Sequence, residues 1–565
     1  MGDYLVFKKA RCKDCYKCLR ECPVKAIEIK DHQAQIIADR CILCGRCTIV
    51  CPQNAKVVHS ERDVVERLLN GDARVIASVA PSCISSFGIQ NFYSLKIALG
   101  KLGFSDAEET ALGANAVVIE YKKLLESGQF KNFITSACPA VCKMIQMYYP
   151  KALKYLSPVD SPMVAHAKII KKENPNAKIV FIGPCIAKKR EAFESELIDG
   201  VLTFEDLKEM LADRNIDIHD KTYTQIDSQH YFANLAKSFP VTEGIIKSFD
   251  YLPKGYEYMA VDGADRCVEV LDNIDSLSGV FLELNTCSHS CINGPCKLEL
   301  NGGSIKAKSD IRQYVNKEVK ELPQQEDNYD FGINITAGYP RIRRNNAPPT
   351  EEEITAILAK TGKFKPEDEL NCGSCGYATC REKAWAVYNG YADVEMCLPY
   401  MRERTESMSY EIIQNSPEGI IVVDNKYNIS EINSKALQLL GIHNENVKGK
   451  CATDFFNFDV VDMSNVEKSV EKQRIYIEPT NSYIDLSINI LKGHNAIFLM
   501  MRDVTAKVNY EDKLKGMKME TLKTTDDVIQ KQMRVAQEIA SLLGETTAET
   551  KVALLKLKKT LQKED

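Results

Sequence analysis

The chain has 565 residues, 44% of them hydrophobic and 27% charged, with a formal net charge of -5. That length exceeds one core at roughly 100 to 200 residues per domain, so three or more units are expected; the charge argues against a nucleic-acid binder, and the lack of any window near ~20 uninterrupted apolar residues predicts no membrane span. Met1 to Lys8 lack the charged-then-apolar layout of a secretory signal, which predicts a cytoplasmic chain, and there 21 cysteines do not read as disulfides because a reducing compartment keeps thiols free, so their clustered spacings imply metal.

Residues 1–60 form the first expected module. Cys12, Cys15, Cys18 and Cys22 are spaced Cx2Cx2Cx3C before Pro23, and Cys41, Cys44, Cys47 and Cys51 repeat the spacing before Pro52. Thiolates are soft ligands suited to iron, short spacers let one loop wrap three corners of a cubane, and the proline ends the wrap. The run resembles the two-cluster bacterial ferredoxins, in which the fourth cysteine of each motif serves the other cluster. That resemblance implies one 4Fe-4S cluster on Cys12, Cys15, Cys18 and Cys51, a second on Cys41, Cys44, Cys47 and Cys22, and single-electron transport. Zinc is the alternative.

Residues 61–345 alternate apolar runs with helical stretches. Val75–Ala80 and Lys178–Ile182 read as buried strands, Asp106–Leu125 and Pro162–Lys172 as helices, which predicts an α/β domain whose ligands collect beyond the carboxyl ends of its strands. Cys138 in Thr-Ser-Ala-Cys-Pro, Cys185 in Gly-Pro-Cys-Ile-Ala-Lys, and Cys287 with Cys291 as CxxxC follow such runs or lie in polar loops. These fragments resemble the catalytic domain of iron-only hydrogenases over roughly residues 70–310. The resemblance implies that Cys138, Cys185, Cys287 and Cys291 hold a 4Fe-4S cluster. It further implies that Cys291 bridges to a diiron unit carrying carbon monoxide, cyanide and a dithiolate bridge. Pro81 and Ser82 then match the turn that hydrogen-bonds one cyanide, Lys188 the lysine that pairs with the other, and Glu191 the glutamate three residues on. A buried ammonium beside an anionic ligand is the compensation such a site requires; the plainer alternative is an exposed lysine in the run Lys188-Lys189-Arg190. Cys83, Cys142, Cys267, Cys296 and Cys451 read as small buried hydrophobes, with Cys142 and Cys296 near the cluster cysteines.

Two departures from the family bear on activity. Ala137 stands where catalytic hydrogenases carry a proton-relay thiol, and a positioned acid-base group typically contributes ~10²- to 10⁴-fold, so slow turnover is expected. The loop Asn285–Pro295 replaces a Met-containing, glycine-rich one, so Asn285, Ser288 and His289 are placed to retune the cluster.

Residues 346–402 carry Cys372, Cys375, Cys380 and Cys397 before Leu-Pro-Tyr, with Arg381–Val394 of helical composition between the last two thiols. The pattern resembles a small four-cysteine iron-sulfur domain found beside corrinoid and electron-transport proteins, with a zinc ribbon as the alternative. Residues 403–508 resemble a PAS sensor domain through the Asn433-x-x-Ala436 step, a helix ending at Gly441, the turn at Lys492–Asn495 and the closing Arg502-Asp503-Val504-Thr505. His443 reads as solvated rather than as a haem ligand.

Residues 509–565 read as helices. Val535, Ile539 and Leu542 share a face, Gly544 stops that helix, and Thr546-x-x-Glu549 caps another bearing Leu554, Leu557 and Leu561. Such a stripe predicts a homodimer or effector contact, or packing on the PAS domain.

The whole is expected to be a multidomain α+β and α/β chain acting as a sensory iron-only hydrogenase. Its implied partners are H2 and protons, a ferredoxin or similar carrier, maturation proteins for the diiron unit, and a kinase or phosphatase effector. An ordinary ferredoxin-linked hydrogenase and an iron-sulfur protein without the diiron unit are the alternatives.

Overall fold

The computed structural model describes residues 4–7, 11–220, 235–299, 302–321, 330–343, 348–424, 426–443, 447–455, 470–491, 496–543 and 547–561. It divides into two units, Met1–Tyr400 and Met401–Asp565. Among the described residues, no helix is long and apolar enough to cross a membrane.

In the first unit two short antiparallel pairs, Leu5–Phe7 with Lys56–Val58 and Ile27–Lys30 with Gln33–Ile36, frame the two cysteine-rich loops. Two parallel sheets follow. One orders Asp106–Glu109, Val75–Val79, Lys178–Ile182 and Gly200–Leu202; the other orders Glu257–Asp262, Val280–Asn285 and Phe133–Ile134. Val75–Val79 and Val280–Asn285 are buried at every position, as β-branched and apolar runs covered on both faces must be. Helices Ala111–Glu126 and Pro162–Glu173 cover the sheets, and Phe133 stacks on Phe281 at 5.4 Å in the core beneath the site.

The strands expected at 75–80 and 178–182 form, as does the helix from Pro162. The helix expected over Asp106–Leu125 begins only at Ala111, because Asp106–Glu109 pairs in parallel with Ile76–Val79. Sheet pairing overrides the local helical composition there. Similarly, Arg381–Val394 is not one helix: Cys380–Tyr388 is helical, Asn389 caps it, and Val394–Met396 is a separate 3₁₀ turn.

The second unit holds a five-stranded antiparallel sheet, in strand order 2-1-5-4-3, made of Gly419–Asp424, Ile429–Ile432, Val470–Ile477, Ser482–Leu491 and Ala496–Asp503. Helix Ser434–Leu440 packs on it, ending at Gly441 as expected. Helices Thr505–Leu543 and Thr547–Leu561 follow. The expected turn at Lys492–Asn495, the stop at Gly544, the cap at Thr546 and the side chain of Leu542 lie outside the described residues. Val535 and Ile539 are exposed, and Leu557 and Leu561 on the following helix are exposed too.

Candidate functional site

The three fragments that bear the scattered cysteines, and the Ala80-Pro81-Ser82 turn, each leave the carboxyl end of a parallel strand. Phe133–Ile134 leads to Cys138, Lys178–Ile182 to Cys185, and Val280–Asn285 to Cys287 and Cys291, while Val75–Val79 leads into Ala80-Pro81-Ser82. Both sheets therefore aim these loops at one place. A cavity of about 110 Å³ lies there, lined by Cys138, Cys185, Cys287, Cys291, Pro81, Ser82, Ala137 and Lys188, several times the ~15 Å³ that one water needs. Its remaining wall is largely apolar, with Ala80, Ala111, Ala114, Phe181 and Ile245.

Burial pushes the Cys185 thiol up to about 11, and it also raises those of Cys287 and Cys291. Left alone, such thiols stay protonated at neutral pH, so a bound cationic cluster must displace their protons. Cys291 lines this cavity and is exposed.

Lys188 is 9% exposed, so the exposed-run alternative does not hold. Its Nζ donates to Ser161 Oγ at 2.9 Å and to Glu191 Oε2 at 2.6 Å. Burial alone would lower the lysine, but the Glu191 carboxylate outweighs it and holds it above the usual range, charged. Its neighbours in sequence point elsewhere: Lys189 donates to Glu61 at 3.1 Å within the same domain, and Arg190 reaches the ferredoxin module at the carbonyl of Cys41, 2.9 Å away. Ser82 Oγ is buried with no hydrogen-bond partner among the described residues. A buried hydroxyl facing a roomy cavity without a partner is costly unless a ligand supplies one. A cationic lysine and an orphaned donor beside four thiols thus fit an anionic group next to a cubane.

The matches to known proteins follow this layout. Residues 73–295 match the iron-only hydrogenase large subunit, C-terminal domain, residues 11–55 a 4Fe-4S dicluster domain, residues 368–399 an Fe-S cluster family, and residues 407–472 a PAS domain. The central domain belongs to the iron-only hydrogenase family. The NADP-reducing hydrogenase subunit HndD of Solidesulfovibrio fructosivorans is 28% identical over 37% of this chain and 42% of that protein. Iron hydrogenase 1 of Clostridium pasteurianum is 24% identical over 50% of this chain and 68% of its own. The chain thus spans less than half the length of the first of these relatives. A solved FeFe-hydrogenase HydA1 variant from Chlamydomonas reinhardtii aligns with 47% of this chain and 91% of its own at 15% identity, with a TM-score of 0.37.

Within this hydrogenase domain, sequence reasoning missed Glu283. It is 1% exposed; Oε2 accepts the backbone N–H groups of Ile245 and Ile246 at 3.0 and 3.1 Å, and Oε1 has no partner among the described residues. Burial pushes it up to about 7 against the lowering by those amides. A single Glu in an apolar strand was the only signal in sequence. His289, by contrast, is exposed, with a left-handed backbone, and does not line the cavity.

The ferredoxin module abuts the same cavity. Cys44 lines it, and Gly45, at φ +74°, leaves no room for a side chain because an added Cβ would fall 2.5 Å from Pro295. Cys41 and Cys44 are therefore carried on the side facing the loops of Cys138 and Cys185. The four-cysteine domain docks on the same module. Leu19 fills the space over Gly376, Lys25 Nζ donates to the Gly376 carbonyl at 2.9 Å, and Arg40 lies 4.8 Å from the Trp385 ring and 5.1 Å from that of Tyr391. Its own thiols, Cys372, Cys375, Cys380 and Cys397, ring a cavity of about 30 Å³. Lys363 Nζ, buried, sits 3.4 Å from Cys397 Sγ, and buried Lys383 caps the Val394 carbonyl at 2.8 Å.

Cys83, Cys142, Cys267 and Cys296 are buried as expected, whereas Cys451 is half-buried, with its Sγ 3.0 Å from Thr453 Oγ1. A loop beside the sheet, rather than the PAS core, carries it. His443 is exposed.

Proposed function

We propose that this chain is a sensory iron-only hydrogenase of low turnover. The observation that carries the reading is the pairing, in one cavity, of buried cationic Lys188 with unpartnered Ser82 Oγ beside Cys185 and Cys291. A cubane alone would need the thiols and neither of the other two. Cys138, Cys185, Cys287 and Cys291 would hold the cubane, Cys291 would bridge, and Pro81, Ser82 and Lys188 would hold the diiron unit's anionic ligands. That unit supplies reversible heterolysis, H2 to 2 H+ and 2 e-, when bound. The protein's residues fix its orientation, keep the wall dry and charge-balanced, and set proton access.

Ala137 presents a methyl group to the cavity and cannot move a proton, which favours detection over flux. Electrons would leave through Cys44 to the ferredoxin clusters and on to the four-cysteine site, or to a ferredoxin-like carrier. Helix Leu398–Gln414 lies between Cys397 and the first PAS strand in sequence. A homodimer, or a kinase or phosphatase, would read the exposed stripe of Val535, Ile539, Leu557 and Leu561.

Infrared spectroscopy of anaerobically matured protein tests this directly. Bands of metal-bound carbon monoxide and cyanide are expected, and their absence ends the hydrogenase reading in favour of an iron-sulfur protein without the diiron unit. In protein that shows the bands, Ala137→Cys is expected to raise turnover at least tenfold. Little gain would return the chain to the ordinary ferredoxin-linked class.

A further inference from the structure

Without a thiol at Ala137, protons released in the cavity need another way out, and a continuous hydrogen-bonded chain of hydroxyls and an imidazole starts at the cavity wall. Thr110 lines the cavity just beyond the register pair Val79–Glu109, and its backbone N–H donates to the Val79 carbonyl at 2.9 Å. Its Oγ1 is 2.9 Å from Ser78 Oγ, which is 2.8 Å from His166 Nδ1. His166 Nε2 is 3.1 Å from Glu108 Oε2. Ser78, Thr110 and His166 are buried, at 1%, 5% and 0% exposed, while the Glu108 side chain is 21% exposed and reaches water.

We propose that Thr110, Ser78, His166 and Glu108 form the proton path that serves this site in place of the missing thiol. The inference rests on the hydrogen-splitting reading above. Each member both accepts and gives a proton. A proton taken up by the Thr110 hydroxyl displaces that hydroxyl's own proton to Ser78, Ser78 passes one to His166 Nδ1, and His166 releases the proton on Nε2 to Glu108, which hands it to water. No electron moves, and the reverse order delivers a proton inward. The neutral imidazole is what the path needs, since it accepts at one nitrogen while donating at the other. Other charged groups nearby are held elsewhere: Tyr314 donates to Glu109 at 3.1 Å, Lys237 pairs with Glu109, and Lys168 pairs with Asp160. Hydroxyls are weaker acids than a thiol, so such a path is slow but not closed, in keeping with a detector.

The test uses matured full-length protein. Thr110→Val and Ser78→Ala each remove one hydroxyl with little change in volume, and Thr110→Ser restores one. Both hydroxyl-free variants are expected to slow hydrogen oxidation at least tenfold. They are also expected to slow, by a similar factor, the settling of the metal-carbonyl infrared bands after a pH step without turnover, leaving the final band positions unchanged. Thr110→Ser is expected to behave as wild type, and Ala137→Cys placed on Ser78→Ala is expected to restore the rate through a separate exit. Ser78 does not touch the cavity, so it carries the test if Thr110→Val fails to load. Unchanged rates and band relaxation in Ser78→Ala, or an equal loss in Thr110→Ser, would overturn the path. A protein that lacks the bands altogether fails the hydrogenase reading instead, so the two failures are separable.

Discussion

Asn433 is fully buried at the junction where the helix that starts beside Cys397 meets the PAS sheet. Its Oδ1 accepts from Ile420 N and Ala436 N, both at 2.8 Å, and its Nδ2 donates to the carbonyls of Ile413 and Glu418 at 2.9 and 2.8 Å. One amide thus caps helix Ser434–Leu440, starts the first strand and ties down the last turn of the incoming helix. Replacing it by alanine removes an N-cap, at ~1 kcal/mol, and strips three further backbone groups of their partner at ~1 kcal/mol each. A loss of about 4 kcal/mol is expected for Asn433→Ala, while Asn433→Ser, which keeps the cap, should recover ~1 kcal/mol of it. Hydrogen exchange of the Ile421 and Leu499 amides reads the PAS unit alone and avoids treating a multi-unit chain as two-state. A loss below ~1 kcal/mol would mean that water or relaxation replaces these bonds, and the reasoning would be refuted.

Three further outcomes are expected. Glu283, raised to about 7 when folded, binds a proton that the unfolded chain has already lost near the ordinary carboxyl value of 4.5. Its contribution is therefore complete below pH ~4.5 and drains away up to pH ~7, by about 3 kcal/mol at 1.36 kcal/mol per unit. Glu283→Gln should flatten that slope in the exchange of the Leu282 and Leu284 amides, and an unchanged slope would contradict it. Lys363→Met takes a positive charge from beside Cys397 and should lower the midpoint potential of the four-cysteine cluster in an EPR-monitored titration, with Lys363→Arg close to wild type; a potential that stays put would show the charge to be screened. Gly376→Val should undock the four-cysteine domain from Leu19, seen as faster proteolysis between residues 343 and 372 with the ferredoxin clusters intact.

Much of the chemistry was legible as local spacing. Cubane motifs place three thiols on one short loop, so the spacings of Cys12, Cys15 and Cys18, or of Cys372, Cys375 and Cys380, stand out without a fold. Strongly buried strands such as Val75–Val79 were legible because a run apolar on both faces has few other uses. The strand Asp106–Glu109 was not, since four polar-rich residues become a strand only when a neighbour offers its edge.

What the sequence by itself determined is the set of modules and the identity of the thiols, because these depend on contacts a few residues apart. Only the tertiary structure decided that Lys188 and Lys189 are both buried, the first at the cavity and the second on Glu61, while Arg190 reaches Cys41. It alone decided that Glu283 is an isolated buried carboxyl, and that Thr110, Ser78, His166 and Glu108 form a line. Those residues lie up to 88 positions apart, and their spacing is set by strand register and helix packing, which no local pattern encodes.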